Sequence, residues 1–304
     1  QNELKHWSPA KGIRAMHRRI RDGKGLRPCY RDDVHEFMRE LDGSGLVRRR
    51  AGRKRIERRN YFSHGPNDSG HIDGNDKLRF YRIWIHICID GFSRYLIWIK
   101  AGTSNRKQNF IARYFLDAVS ALNGCPRLMR ADRGQENTTV ALMQMSFRYR
   151  HEDSLSGANS FRFGKSVHNQ AMLNLFIQRA ECFNGALKKS WINKWQNHFE
   201  AMVLSEILDL QNPIHIHCLQ FSYLSLIQNE LTVEQKEWNR HKIRKQNNAA
   251  GPFGKPEVLY IAPPTGTTNM LCSVDDDILT YADRFTCTEE EPLSVANAAF
   301  RQIY

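Results

Sequence analysis

The stretch YRIWIHICID, residues 81–90, sets Ile83, Ile85, Ile87 and Ile89 at alternate positions, with Trp84, His86 and Cys88 between them. A period of two in a run this rich in β-branched residues predicts a long strand with one packed face. Residues 91–94 (GFSR) supply a tight turn and 95–100 (YLIWIK) a second strand, so a β-hairpin is expected. Upstream, residues 71–74 (HIDG) read as a strand that meets small residues. Downstream, Ser104 or Asn105 is placed to cap a helix over 106–122, with Phe110, Ile111, Tyr114, Phe115, Ala118 and Val119 on one side. Residues 127–131 (RLMRA) form a short strand that stops at Asp132. Three strands, a helix and a further strand ending on a carboxylate predict an α/β fold, with sheet and helices in layers.

The flanks read differently. Residues 9–23 suit a basic helix. In 31–42, Val34, Phe37, Met38 and Leu41 fall at i, i+3, i+4 and i+7, with Asp32 or Asp33 to cap the start and Gly43 to end the helix. Two short helices joined by a Gly-containing turn suggest a helix-turn-helix-like segment over 1–47. Many helix pairs of this kind only pack, so that pattern alone does not assign DNA contact. Residues 48–65 read as a basic linker or arm, and 66–200 as the core. Residues 137–148 suit a helix, and the polar, Gly/Ser-rich 149–166 a mobile loop. Residues 169–200 and 219–242 are helical in composition, so 201–245 is set apart as a helical extension. Pro252, Pro256, Pro263 and Pro264 make 246–304 an expected irregular tail.

Charge narrows the function. The chain of 304 residues carries a formal +13, and residues 1–60, with eighteen Lys and Arg against eight Asp and Glu, hold +10 of it. A basic segment beside a near-neutral body is the footprint of a polyanion-binding arm; the bland reading is a solvated charge run. Its phosphate-contact candidates are Arg48, Arg49, Arg50, Arg53, Lys54, Arg55, Arg58 and Arg59, eight basic residues against one acid, Glu57, in 48–59. No apolar run approaches the ~18–20 residues of a membrane span, and no secretory h-region precedes the basic segment. A nuclear location is therefore expected, with the cytoplasm as the other choice. The opening Gln1 in place of Met suits a fragment. Seven cysteines without a Cys-x-x-Cys pair argue against a disulfide framework or zinc ribbon, and the His215-Ile216-His217-Cys218 run lacks the second half of a metal site.

Three carboxylates carry the chemistry: Asp73 in His71-Ile72-Asp73-Gly74, Asp132 at a strand end, and Glu181 on a helix. Phosphodiester chemistry needs two hard cations ~4 Å apart to clamp the attacking and leaving oxygens. Carboxylate oxygens suit Mg2+ or Mn2+. Two aspartates on adjacent strands and a glutamate on a packed helix would build that site, although an aspartate at a strand end is more often a turn residue. Lys188 and Lys189, about two turns after Glu181, are candidate phosphate contacts or simply exposed lysines. Trp191 and Trp195 read as packing residues.

Four stretches in order, 66–78 (PNDSGHIDGNDKL), 89–94 (IDGFSR), 127–137 (RLMRADRGQEN) and 166–170 (SVHNQ), resemble the integrase core domain of the DDE retroviral-integrase/transposase superfamily, and an animal and fungal group of integrase-core proteins in particular. The resemblance extends over most of residues 12–260. It implies an RNase H-like mixed sheet flanked by helices, and in-line phosphoryl transfer in DNA integration without a covalent enzyme intermediate. It implies Mg2+ or Mn2+ as cofactor. DNA is the implied partner, with a homo-multimer as the usual assembly and neither a membrane nor a small-molecule substrate. The catalytic, metal-holding residues it implies are Asp73, Asp132 and Glu181, while Asp90 of IDGFSR is structural.

Two departures stand out. The aromatic that the family places before His71 is Gly70. The family's Asn-Gln-Arg-x-Glu run is interrupted, because Asn169-Gln170 is separated from Arg179-Ala180-Glu181 by AMLNLFIQ, residues 171–178. An ungapped alignment puts Leu173 at the glutamate position and leaves a dead site. Treating the eight residues as an insertion restores Glu181, and the aromatic and basic pattern after it keeps register with Glu181. Besides the strand-transferase reading, a catalytically inactive, host-retained DNA-binding protein and an RNase H-like nuclease stay open.

Overall fold

In the computed structural model the alternating isoleucines form β2 (Trp84–Asp90), which pairs antiparallel with β1 (Gly70–Asn75) on one side and β3 (Leu96–Gly102) on the other. The structure describes residues 12–22, 30–50, 63–164, 170–245 and 251–286, with the backbone alone for 22, 42–50 and 170–178. Beyond β1 the sheet turns parallel. There β4 (Met129–Ala131) pairs with β1, and β5 (Phe161–Phe163) with β4, giving the order β3-β2-β1-β4-β5.

Residues 149–166, expected as a loop, thus hold a fifth strand. Phe161-Arg162-Phe163 is too short to show a period, and only pairing with β4 makes it a strand. The turn before it hangs on Arg148, which is fully buried, ion-paired to Asp153, and accepts the Gly157 N–H at 2.9 Å through its carbonyl.

The sheet buries both faces. Ile72, Cys88 and Trp98 meet α3 (Gln108–Leu122), α4 (Thr138–Phe147) and α9 (Asp276–Thr286). Ile85, Ile87, Ile89 and Ile99 meet α5 (Gln170–Leu187), a π-helical turn over Lys188–Ile192, α6 (Asn193–Leu204) and α7 (Pro213–Arg240). Each fully buried isoleucine contributes about 1.5–3 kcal/mol. Trp191 and Trp195 belong to this core, and both indole N–H groups donate to Glu230 Oε2, at 2.9 and 3.0 Å. Neither α3 cap expected from the sequence forms. Lys107 precedes the helix, while the buried Asn105 amide donates to the Ile85 carbonyl at 3.0 Å and pins the loop to β2.

Helix α7 begins at Pro213, six residues before the expected 219, because Asn212 accepts the Ile214 N–H at 2.9 Å and proline suits the first helical position. It lies along the sheet's edge strand. Gln228, Gln235 and Asn239 bond the β3 backbone: Gln228 Oε1 accepts from Ala101 N at 2.8 Å, Gln235 Nε2 donates to the Leu96 carbonyl at 3.0 Å, and Asn239 Oδ1 accepts from Leu96 N at 2.8 Å. An edge that would otherwise invite another strand is thereby closed. Leu219, Leu224, Ile227 and Leu231 join the isoleucine cluster, so the stretch read as an extension completes the core.

The tail is not irregular throughout. Pro256 opens α8 (Pro256–Ile261), and α9 follows. At the other end, α1 (Ile13–Asp22) packs on α2 (Arg31–Arg50) through Met16, Val34 and Met38. Phe37 and Leu41, expected in that stripe, are exposed. Asp32 and Asp33 lie inside the first turn, where they favour the positive end of the helix dipole, and do not cap it. Gly43 does not stop α2, a glycine inside a helix costing only ~1 kcal/mol. Arg48, Arg49 and Arg50 therefore close a helix where an arm was expected to begin. Arg53, Lys54, Arg55, Arg58 and Arg59 lie outside the described residues. Among the described residues no helix is long and apolar enough to cross a membrane.

Candidate active site

Asp73 lies mid-way along the central strand, directly opposite Ile87, and so faces the layer of α5. On α5, Ala180, Phe183 and Leu187 turn into the core. Glu181 and Asn184, three residues apart, stand at the rim of that packed stripe. The Asn184 amide donates to Asp73 Oδ2 at 2.7 Å, and its own oxygen accepts from Asn75 Nδ2 at 3.0 Å. Burial raises the Asp73 carboxyl to about 6; the Asn184 amide and the Gly74 N–H oppose that rise, and the negative charges of Asp132 and Glu181 reinforce it. Two acids distant along the chain, Asp132 and Glu181, thus bear on Asp73.

Asp132 follows the last residue of β4. Asn137, buried after a short 3-10 turn over Gln135–Asn137, donates to Asp132 Oδ1 at 3.1 Å. Its own Oδ1 is buried with no partner. Among the described residues no three His, Cys, Asp or Glu side chains come together in a group that could hold a metal ion. The hard-oxygen donor set nonetheless suits Mg2+ or Mn2+. Asp132 and Glu181 are exposed, and Asp73 is half-buried.

The charge of Glu181 reaches Asp73. The 171–178 segment continues α5 backward without a break, which places the backbone of Leu173 about 12 Å farther along the axis at 1.5 Å per residue. Lys188 and Lys189 are exposed on the π-helical turn; seven residues beyond Glu181, Lys188 comes back to the same helix face. Asp90 is fully buried and holds the β2–β3 turn, accepting Asn67 N at 2.8 Å and Ser93 N at 2.7 Å. Burial lowers His71 to about 3, with the charges of Arg130 and Arg179 adding to the effect, so the ring is neutral.

A sequence model of the integrase core domain matches residues 60–261, two thirds of the chain. The chain belongs to the integrase core domain family. Its mixed five-stranded sheet flanked by helices is the RNase H-like fold of that family, and the protein is an integrase/transposase-like member of the polynucleotidyl transferase superfamily. No curated protein matches. Among solved structures, a chain of the simian T-cell lymphotropic virus intasome in complex with PP2A regulatory subunit B56 gamma is 14% identical, with 85% of this chain and 76% of that chain covered and a TM-score of 0.38.

Sequence reasoning missed several residues of this integrase core. Asn184 was recoverable from its i+3 spacing to Glu181. Arg79, Arg82 and Arg106 line a groove of about 710 Å³ that also contains Asp132, Glu136 and Asn137. Arg79 and Arg82 flank one short 3-10 turn and Arg106 lies in another segment, and only the fold brings them to one groove.

Proposed function

We propose that the protein is a metal-dependent DNA strand transferase in which Asp73, Asp132 and Glu181 hold paired Mg2+ or Mn2+ for phosphodiester cleavage and joining in DNA integration. The setting of Asp73 carries this reading: a carboxyl raised to about 6 first by burial, and further by the charges of Asp132 and Glu181, is a position that a divalent cation would relieve. Bound cations would supply charge neutralisation at the phosphate and a more acidic attacking hydroxyl. Asn184 and Asn137 fix the orientation of Asp73 and Asp132. Lys188, on the face of Glu181, is placed to meet a phosphate oxygen, with Lys189 beside it. DNA and further copies of the chain are the partners of this reading, and the nucleus its location.

The test is Mn2+-dependent cleavage or joining of duplex DNA by the purified chain, lost in Asp132→Ala. Selective cutting of an RNA:DNA hybrid would instead mark an RNase H-like nuclease. The open arrangement of the carboxylates favours a second reading, a DNA-binding protein without turnover. Salt-sensitive DNA binding with no metal-dependent product would establish it.

A further inference from the structure

On α1, Arg14, His17, Arg18 and Arg21 recur at i, i+3, i+4 and i+7, a single basic stripe. The opposite face of α1 is the one that packs on α2, through Ile13, Met16 and Ile20. The stripe forms one wall of a cleft of about 570 Å³. The other wall comes from Arg240 at the end of α7, Lys242 and Arg244 just after it, and Lys255 just before α8. One carboxylate lines the cleft, that of Glu257, 3.7 Å from Arg240 Nε. A second contact, Arg19 to Glu237 at 3.7 Å, ties α1 to α7 behind it. The lining of the cleft thus holds seven Arg and Lys residues and one acid, a concentration of positive charge that attracts a polyanion.

The positive charge continues towards the carboxylates. Arg18 and Arg94 both bear on His241 at the cleft wall. Arg94 and Arg179 both crowd Gly251, where a Cβ would lie 2.7 Å from one guanidinium and 3.1 Å from the other. Arg179 precedes Glu181 by two residues on α5, and its charge reaches His71, two residues before Asp73. Guanidinium groups strung along a path suit successive phosphates, which they bind in a forked geometry.

We propose that the α1/α7/α8 cleft grips the phosphate backbone of duplex DNA and that Arg94 and Arg179 lead that backbone from the cleft to Asp73, Asp132 and Glu181. This grip is separate from the arm at 48–59 and from Lys188 and Lys189. It deepens the strand-transferase reading, and the path to the carboxylates rests on that reading.

The test uses the full chain, a fluorescent duplex of about 20 base pairs and a KCl titration without divalent metal. Arg14→Ala, Arg21→Ala and Lys242→Ala together remove three exposed cations, and the Glu replacements at the same positions reverse them; circular dichroism checks that each variant is folded. The expected result is at least a tenfold loss of affinity for the Ala variant and more for the Glu variant. The slope of log K against log salt should fall by about 0.9 per lost phosphate contact. Unchanged affinity and slope in folded variants overturn the proposal, as does equal binding of the wild type to phosphatidylserine vesicles. Cleavage by the wild type with unchanged binding in the cleft variants would sink the cleft and leave the proposed function standing. Loss of binding in those variants, with no Mn2+-dependent product from the wild type, would do the reverse.

Discussion

At the scale of single residues, His86 has a consequence that spectroscopy reads directly. Its ring is buried, and burial lowers its pKa to about 3. Trp98 Nε1 donates to His86 Nδ1 at 3.1 Å, so the neutral ring carries its proton on Nε2. The unfolded chain binds that proton near 6.5, and the folded one only near 3. Stability from this site is complete above the unfolded value and is lost as pH falls from about 6.5 towards 3. Urea titrations across that window should show an acid limb that His86→Gln, which keeps an acceptor for Trp98, makes shallower. Asn184 acts on the candidate site instead. Asn184→Ala removes the donor to Asp73 Oδ2 and should weaken Mn2+ binding by about 10–100-fold, read by calorimetry, with the fold intact. An unchanged affinity would deny Asn184 any orienting role.

At the scale of elements, the hairpin and α3 were legible because their periods are long and their faces clean. β5 was not, because three residues have no period. Asp73, Asp132 and Glu181 were legible as a set only through family resemblance; any chain of this length contains many acidic triples. Gly70 stands where the family places an aromatic, and a Cβ there would lie 2.5 Å from the buried Met129 Sδ, so the Met129 side chain already takes up the space beside it. Gly65 shows the same limit of local reading. A Cβ would lie 2.0 Å from the Thr268 carbonyl oxygen, which is backbone and has little room to move. That approach seats the strand-like segment in which Met270 N donates to the Pro66 carbonyl at 2.8 Å and Cys272 pairs with Cys125. Gly65→Ala should cost about 1–3 kcal/mol in urea unfolding and speed proteolysis within 263–275.

At the scale of the whole molecule, residues beyond the matched 60–261 are part of the globule. Ile278, Leu279 and Ala282 of α9 pack on the α3–α4 face, and Arg113 reaches Asp283 at 2.6 Å. A chain ended at residue 262 should melt about 10 °C lower by calorimetry, at ~2–4 °C per kcal/mol lost. A melting point equal to that of the full chain would make α9 dispensable. The rod that begins at Gln170 also links the site to the rest of the core. Phe183, Leu187, Trp191, Trp195 and Phe199 are all buried, although each is four positions after the last. In α-geometry each such step overshoots a full turn by about 40°, and the row would spiral off the sheet. The wide turn at Lys188–Ile192 takes up the surplus, so one helical phase serves the carboxylates and, beyond it, a second serves the tryptophans. Deleting Ser190 would merge the two phases and swing Trp195 and Phe199 away from the sheet. The angular setting of Glu181 against Asp73 is thereby anchored to aromatic packing several turns away.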